Sequence, residues 1–132
     1  MPSLDCLIEN VVVNLLRLAV TELPADVKAA LKKAYEEERS VTGKIQLKAI
    51  LDNIRLAEER GIPLCQDTGL ISFYLKAGSE FKGLDRVENV LRRAVIRATR
   101  EIPLRPNTID PFTQKNAGNN LGRYVPYIHW EV

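Results

Sequence analysis

The sequence has few of the residues that build the commonest metal and nucleophile sites. It contains two cysteines and one histidine in 132 residues. Cys6 and Cys65 lie 59 positions apart and form no Cys-x-x-Cys pair, so neither a closed zinc site nor a disulfide framework is indicated. No nucleophile motif accompanies His129, the only histidine, so a catalytic triad is poorly supported. A glycine-rich phosphate loop is missing as well, and nothing indicates nucleotide binding.

Excess charge of one sign and long apolar runs are also missing. The 19 basic and 17 acidic residues nearly cancel, which argues against nucleic acid as a partner. The most apolar stretch, residues 11–20, is interrupted by Asn14 and Arg17 and is too short to span a membrane. With no signal-peptide pattern and two isolated cysteines, we expect a cytoplasmic protein without a membrane partner.

Four segments have the apolar spacing of amphipathic helices. The first has Ser3 as its expected N-cap and ends before Pro24, which is expected in the first turn of the second. The second is expected to bury Val27, Ala30, Leu31 and Ala34. Residues 40–43 are expected to interrupt the pattern before a third helix, whose apolar residues are Ile45, Ala49, Ile50, Ile54 and Ala57.

Glycine and proline mark the remaining boundaries. Gly61 is the expected C-cap of the third helix, and Pro103 is expected to end a fourth helix near residues 84–100. Strands are predicted at residues 70–75 and 124–132. Between them, residues 103–122 contain three prolines, two glycines and four asparagines, which predicts a long, folded and functional loop.

These elements predict an α+β fold, with a helical bundle at 1–61 followed by short strands and a long ordered loop at 62–132. We expect all 132 residues to form a single unit that is part of a larger fold, because an apolar strand reaches the last residue. The exposed edge of that strand favours self-association, so we expect a homo-oligomer.

Two positions carry candidate chemistry. Cys65 lies on a tight bend with Gln66 and Asp67, where it is either a metal ligand at a cavity rim or a small buried hydrophobe. Arg105, held between Pro103 and Pro106, suits either a ligand carboxylate or a structural salt bridge. Five polar loop residues favour turn capping over ligand binding, namely Asn107, Asp110, Asn116, Asn119 and Asn120. His129 favours a structural role.

Taken together, three motifs resemble those of class I fumarate hydratases, iron–sulfur hydro-lyases that also include L-tartrate dehydratase. The motifs are Pro-Leu-Cys-Gln-Asp-Thr-Gly at residues 63–69, Pro-Leu-Arg-Pro-Asn at 103–107 and Lys-Asn-Ala-Gly-Asn-Asn at 115–120. The resemblance runs from about residue 40 to the end. It places the chain in the N-terminal part of an α subunit or α region.

The resemblance implies a role for each candidate residue. Cys65 would be one of three thiolate ligands of a [4Fe–4S] cluster, whose fourth iron acts as a Lewis acid on the substrate oxygen. Gln66 and Asp67 would line the substrate site, with Asp67 as general acid and base. Arg105 would bind a carboxylate of a dicarboxylate or hydroxy-dicarboxylate substrate. The expected reaction is reversible hydration of fumarate to L-malate, and L-tartrate dehydration is the close alternative.

Departures from the family pattern limit what this chain does alone. Ala117, Asn119 and Leu121 replace residues common in relatives, which leaves the choice of substrate open. The family's other two cluster cysteines fall beyond residue 132, so we expect an incomplete cluster and no activity from these residues alone. The remaining α region and a β subunit or C-terminal domain are the expected partners. A non-catalytic assembly module that keeps the fold is the alternative.

Overall fold

A computed structural model describes residues 2–102 and 104–131, and within them it has four helices and a two-stranded sheet. In chain order the elements are α1 (Leu4–Thr21), α2 (Ala25–Glu37), α3 (Val41–Arg60), β1 (Ser72–Lys76), α4 (Leu84–Glu101) and β2 (Tyr127–Glu131). The predicted α+β class is confirmed. The assignment of all 132 residues to one unit of a larger fold stays a prediction.

Two helix ends follow the predicted capping chemistry. The Ser3 hydroxyl accepts a hydrogen bond from the backbone N–H of Cys6 at 3.3 Å and so begins α1. Gly61 ends α3 in the left-handed conformation, with φ of 61°, which glycine adopts at little cost. Pro24 directly precedes α2 as its N-cap instead of lying in its first turn.

The predicted interruption at residues 40–43 is limited to Ser40. Its hydroxyl accepts from the Gly43 N–H at 3.3 Å, so Ser40 is an N-cap and α3 already begins at Val41. Gly43 lies against the side chain of Glu38, where a Cβ would come within 2.7 Å of the carboxyl carbon. A capping serine was therefore mistaken for the start of a longer break.

The main core lies between α1 and α4, and so joins the first helix to the second half of the chain. Ala94 and Ala98 of α4 are fully buried, and their small side chains let α1 approach closely. The sheet covers the same core with Phe73, Leu75, Ile128 and Trp130.

The second and third helices form an antiparallel hairpin, in which Lys28 of α2 pairs with Glu58 near the end of α3 at 2.7 Å. The expectation that α2 buries Val27, Ala30, Leu31 and Ala34 was wrong, because Leu31 is half-buried and the other three are exposed. Helix α2 packs mainly on α3, and this one neighbouring helix does not cover enough of α2 to bury its apolar face. On α3 only Ile54 and Ala57 are buried, whereas Ile45, Ala49 and Ile50 are exposed.

The strands β1 and β2 pair in parallel, with Ser72 opposite Tyr127 and Lys76 opposite Glu131. Because α4 connects them, the three elements form a βαβ unit. The predicted strands ran from 70 and 124, but pairing begins at Ser72 and Tyr127. Val125 and Gly122 instead bond to each other in a turn before β2.

Two predictions fall partly outside the described residues: the role of Pro103 in ending α4 and holding Arg105, and the extension of the last strand to Val132. Within the described ranges, no helix combines the length and apolar character needed to cross a membrane.

Candidate functional site

The candidate site lies where two segments enter the parallel sheet. The bend at residues 63–69 precedes β1, and the loop at residues 104–122 precedes β2. Because the amino ends of parallel strands meet at the same edge of a sheet, the two segments are brought side by side. The topology therefore joins residues that are about 40 positions apart in the sequence.

The bend is anchored just before Cys65. Both backbone groups of Leu64 are hydrogen-bonded: its N–H donates to the Val20 carbonyl at 2.8 Å, and its carbonyl accepts from Asn53 Nδ2 at 2.8 Å. Leu64 is thus tied to the end of α1 and to α3. Cys65 follows directly, so its backbone position is fixed by two helices.

Within the bend, Cys65 and Asp67 are exposed and contact each other. The Cys65 thiol donates to the Asp67 carbonyl at 3.0 Å, and Asp67 Oδ1 accepts from the Gly69 N–H at 3.0 Å. Gly69 has a φ of 70°, which favours glycine and permits the sharp reversal. The alternative of Cys65 as a buried hydrophobe is wrong, because the thiol is exposed.

The Leu-Arg-Pro-Asn segment lies against this bend. Asn107 Nδ2 donates to Asp67 Oδ1 and to the Gly69 carbonyl, both at 3.1 Å. The Thr68 hydroxyl donates to the Arg105 carbonyl at 3.4 Å. The structure therefore brings together the segments that carry Cys65, Gln66, Asp67 and Arg105. No sequence signal identified Asn107 as the residue that links the two segments. In the sequence, an asparagine that bonds to a residue 40 positions away looks the same as one that caps a local turn.

Arg105 and Gln66 point to solvent from the two segments. Both residues are exposed, and within the described residues neither side chain has a hydrogen-bonding or ion-pairing partner. The structural salt bridge considered for Arg105 is therefore not formed with any acid in residues 2–102 or 104–131. His129 stacks on Tyr74 with ring centroids 4.6 Å apart. Its structural role stays a prediction.

Asn120 is the buried residue that holds the loop in place. It is only 5% exposed and has a φ of 58°. Its Oδ1 accepts from the Asn107 N–H at 2.8 Å, and its Nδ2 donates to the Arg105 carbonyl and the Thr99 hydroxyl, both at 3.2 Å. One buried amide thus holds the backbone on both sides of Pro106 and ties it to α4.

Replacing Asn120 by alanine should lower the free energy of unfolding by about 3 kcal/mol, because this buried side chain makes three hydrogen bonds that alanine cannot make. N120G should lose about 1 kcal/mol less, since glycine tolerates the left-handed backbone. Urea unfolding monitored by circular dichroism measures both losses.

The matched control is Asn119→Ala, which removes one local bond, that from the Leu121 N–H to Asn119 Oδ1 at 3.0 Å. We expect a loss of about 1 kcal/mol there. Equal losses at positions 119 and 120 would contradict the assignment of Asn120 as the cross-link of the loop.

The other polar loop residues cap turns, as predicted. Asp110 Oδ1 accepts from the N–H groups of Thr113 and Phe112 and from the Thr113 hydroxyl, at 2.7 to 3.0 Å. These bonds, chiefly the one from the Thr113 N–H, lower the pKa of Asp110. Asn119 caps Leu121, and Asn116 caps Gly118 while its Nδ2 also donates to the Pro106 carbonyl at 2.6 Å. Asn107 and Asn120 depart from the turn interpretation, and Asn116 does so in part, because their side chains bond to residues ten or more positions away.

A cavity of about 690 Å³ is lined by residues of the loop and does not contain the predicted site. Phe112, Lys115 and Tyr124 contribute to its walls. Cys65, Asp67 and Arg105 instead lie on an open surface. A ligand at these residues therefore needs further chain to enclose it.

The donor set does not make a complete metal site. Within the described residues, no three side chains of histidine, cysteine, aspartate or glutamate come together so as to hold a metal ion. Cys65 fits the role of a single thiolate ligand, because its sulfur is exposed. Cys6 lies in α1, where its sulfur contacts Asn10. The described residues therefore supply at most part of a metal site.

Comparisons with known proteins agree with the motifs. The model of the family described as fumarate hydratase (Fumerase) matches residues 9–132. A protein of Methanocaldococcus jannaschii, provisionally described as an L(+)-tartrate dehydratase subunit alpha, is 43% identical over 94% of this chain and 44% of its own length. The L(+)-tartrate dehydratase subunit alpha of Escherichia coli K12 is 37% identical over 93% of this chain and 41% of its own. The chain thus spans less than half the length of these relatives.

Proposed function

Because this chain belongs to the class I fumarate hydratase family, we propose that it is the N-terminal part of a hydro-lyase acting on four-carbon dicarboxylates. The reaction proposed is the reversible addition of water to fumarate, giving L-malate. The observation that carries the proposal is the Asn107 bridge, which holds the Asp67 carboxylate beside the Arg105 segment. An acid–base group and a carboxylate-binding group are what such a reaction needs.

Cys65 is proposed as one thiolate ligand of a [4Fe–4S] cluster whose other ligands lie outside these residues. Its exposure and its position in the Cys-Gln-Asp-Thr-Gly motif support this role. When bound, such a cluster supplies a Lewis-acidic iron that polarises a carbon–oxygen bond. The anchoring of Leu64 to two helices holds the thiol in one place before any ligand arrives.

Asp67 is proposed as the group that exchanges a proton with the hydroxyl that leaves or adds. Its Oδ1 already accepts two hydrogen bonds, from the Gly69 N–H and from Asn107. Those donors orient the carboxylate and leave the other oxygen, Oδ2, for the substrate. Gln66, exposed on the same bend, is proposed to contact the substrate beside it.

Arg105 is proposed to bind a substrate carboxylate. Its guanidinium is exposed and lacks an acidic partner in the described residues, while its backbone carbonyl is held by Asn120 and Thr68. A planar guanidinium on a fixed backbone donates two parallel hydrogen bonds to a carboxylate. A charged ligand fits this position better than a structural ion pair.

L(+)-tartrate dehydration is the second candidate reaction. It is favoured by the printed descriptions of the two relatives from Methanocaldococcus jannaschii and Escherichia coli. The substituted loop residues Ala117, Asn119 and Leu121 lie in the segment that borders Asn107 and Arg105, which makes them candidates for setting the preference. Since these relatives are described as alpha subunits, a β subunit is the proposed partner, together with the rest of the α region.

The test measures how fast the complete, cluster-loaded enzyme converts each of the two substrates, fumarate and L(+)-tartrate. We expect fumarate hydration with a higher kcat/KM than L(+)-tartrate dehydration. The reverse order would establish the second candidate. A folded protein that takes up no iron and turns over neither substrate would support the non-catalytic assembly module instead.

Replacing Arg105 by lysine should raise KM about 10- to 100-fold, because one of two charge-assisted hydrogen bonds to the carboxylate is lost. The same change at Arg39, an exposed residue between α2 and α3, is the matched control and should leave KM unchanged. Steady-state rates over a range of substrate concentrations measure both. An unchanged KM in R105K would remove Arg105 from the proposed site.

A further inference from the structure

The loop that precedes β2 forms a cavity that the proposed reaction does not use. This loop cavity has a volume of about 690 Å³ and is lined by residues between Thr108 and Val125. Small-molecule sites have volumes of roughly 300–1,000 Å³, so the loop cavity has the size of a ligand site. Cys65, Asp67 and Arg105 are not among the residues that line it.

The walls of the loop cavity are held together within the loop itself. Backbone bridges join Ile109 to Asn116 and Gly122 to Val125. Gly122 also lies close to Thr108, where a Cβ on the glycine would come within 2.7 Å of Thr108 Cγ2. The cavity therefore has its shape before a ligand arrives, which lowers the entropy cost of binding.

Most of the wall is apolar, and two aromatic rings belong to it. Phe112 is 88% exposed, Tyr124 is 67% exposed and Ile109 is 58% exposed. Aromatic and large aliphatic side chains in a cavity bind the apolar body of a ligand. Tyr124 also has a φ of 62°, which is uncommon for a bulky residue. Backbone strain of this kind is concentrated at ligand-binding and active sites.

Two cationic side chains, Lys115 and Arg123, line the same cavity. Neither forms an ion pair with an acid among the residues that the structure describes. Arg123 instead lies over the ring of Tyr124, with 5.2 Å between its Cζ and the ring centroid. Asp110 also lines the cavity, but its Oδ1 accepts three hydrogen bonds from its own turn. The lining therefore carries an excess of positive charge, which favours an anionic ligand.

From these cations and aromatic rings together we infer that the loop cavity binds a small aromatic carboxylate. The carboxylate bonds to Arg123, whose planar fork suits it, and to Lys115, while the ring of the ligand packs on Phe112 and Tyr124. Fumarate, L-malate and L(+)-tartrate have no apolar body and are poor ligands for this cavity. The inference does not rest on the proposed reaction, because none of the residues assigned to that reaction lines the cavity.

Binding of phenylacetate to the complete polypeptide that carries this chain tests the inference. Ligand-detected NMR should show saturable binding with a dissociation constant of about 1 mM or lower. Phenylacetamide, which keeps the ring and lacks the charge, should bind at least about 10-fold more weakly. Acetate, which lacks the ring, should show no saturable binding, and excess fumarate should not displace phenylacetate.

Two variants assign the binding to the loop cavity. Arg123→Gln should weaken phenylacetate binding at least about 10-fold, because a charge-assisted hydrogen bond is lost, and should leave phenylacetamide binding unchanged. Phe112→Ala should weaken the binding of both ligands, since it removes part of the apolar wall. The matched control is Lys82→Gln, which removes an exposed cation outside the cavity and should change neither. Circular dichroism checks the folding of each variant.

Several results would overturn the inference. Absence of saturable phenylacetate binding to the folded wild-type polypeptide is the first. Equal losses in R123Q and K82Q would indicate non-specific attraction to positive charge. Displacement of phenylacetate by fumarate would place the ligand at the residues proposed for the reaction, and binding that survives both R123Q and F112A would place it elsewhere.

Discussion

Replacing Cys65 by serine should lower the kcat/KM of the complete enzyme by at least about 10³-fold. The proposed role of the thiolate is to hold an iron–sulfur cluster, and loss of Lewis-acid catalysis costs several kcal/mol of transition-state stabilisation. The fold should be unaffected, because Cys65 is exposed and lies outside the core. The rate of fumarate hydration and the iron content per chain are the two measurements.

The chain provides a matched control for this change. Cys6 is also exposed, but it lies in α1 and outside the bend at residues 63–69. Cys6→Ser should therefore keep both activity and iron. An active C65S enzyme with a full complement of iron would reject the ligand assignment. An inactive C65S enzyme that retains its iron would point to a role for the thiol other than cluster binding.

Replacing Asp67 by asparagine should lower kcat by about 10²- to 10⁴-fold, the usual contribution of a general acid or base. The amide oxygen can still accept from the Gly69 N–H and from Asn107, so the bend should keep its shape. The change therefore removes the ionisable group while retaining most of the geometry. KM should change much less than kcat, and the limb of the pH–rate profile that depends on Asp67 should disappear.

Asp52→Asn, on the exposed surface of α3, is the control for the removal of one negative charge. It should leave both kcat and the pH profile unchanged. If D67N retained the wild-type pH profile and rate, the proton-transfer role would be excluded. A large rise in KM at constant kcat would instead make Asp67 a binding residue.

Local chemistry in the sequence was sufficient to locate most elements of the fold. Ser3 and Gly61 acted as the predicted caps, and the apolar spacing of α4 gave its bounds to within a residue. The role of Ser40 was predicted wrongly, because a capping serine with a glycine three residues later resembles a turn. These signals are strong since capping depends on a few neighbouring residues.

The partners of each helix could not be predicted. Periodicity identifies an apolar face but not what covers it, and α1 proved to pack on α4 while α2 lacks a buried face. The same limit applies to the candidate site. Cys65 and Arg105 were proposed from their residue types and Asp67 from the family resemblance, whereas the bonds of Asn107 and Asn120 join residues that only the fold brings together.

The contact between α1 and α4 sets the order in which the chain can fold during synthesis. Val13 leaves the ribosome about 80 residues before Leu91, its partner in the core, and at 5–20 residues per second the delay is roughly 4–16 s. Throughout that interval the apolar residues of α1 that pack on α4 are without their folded partner. Contacts between this exposed apolar surface and other unfolded chains then compete with the α1–α4 packing.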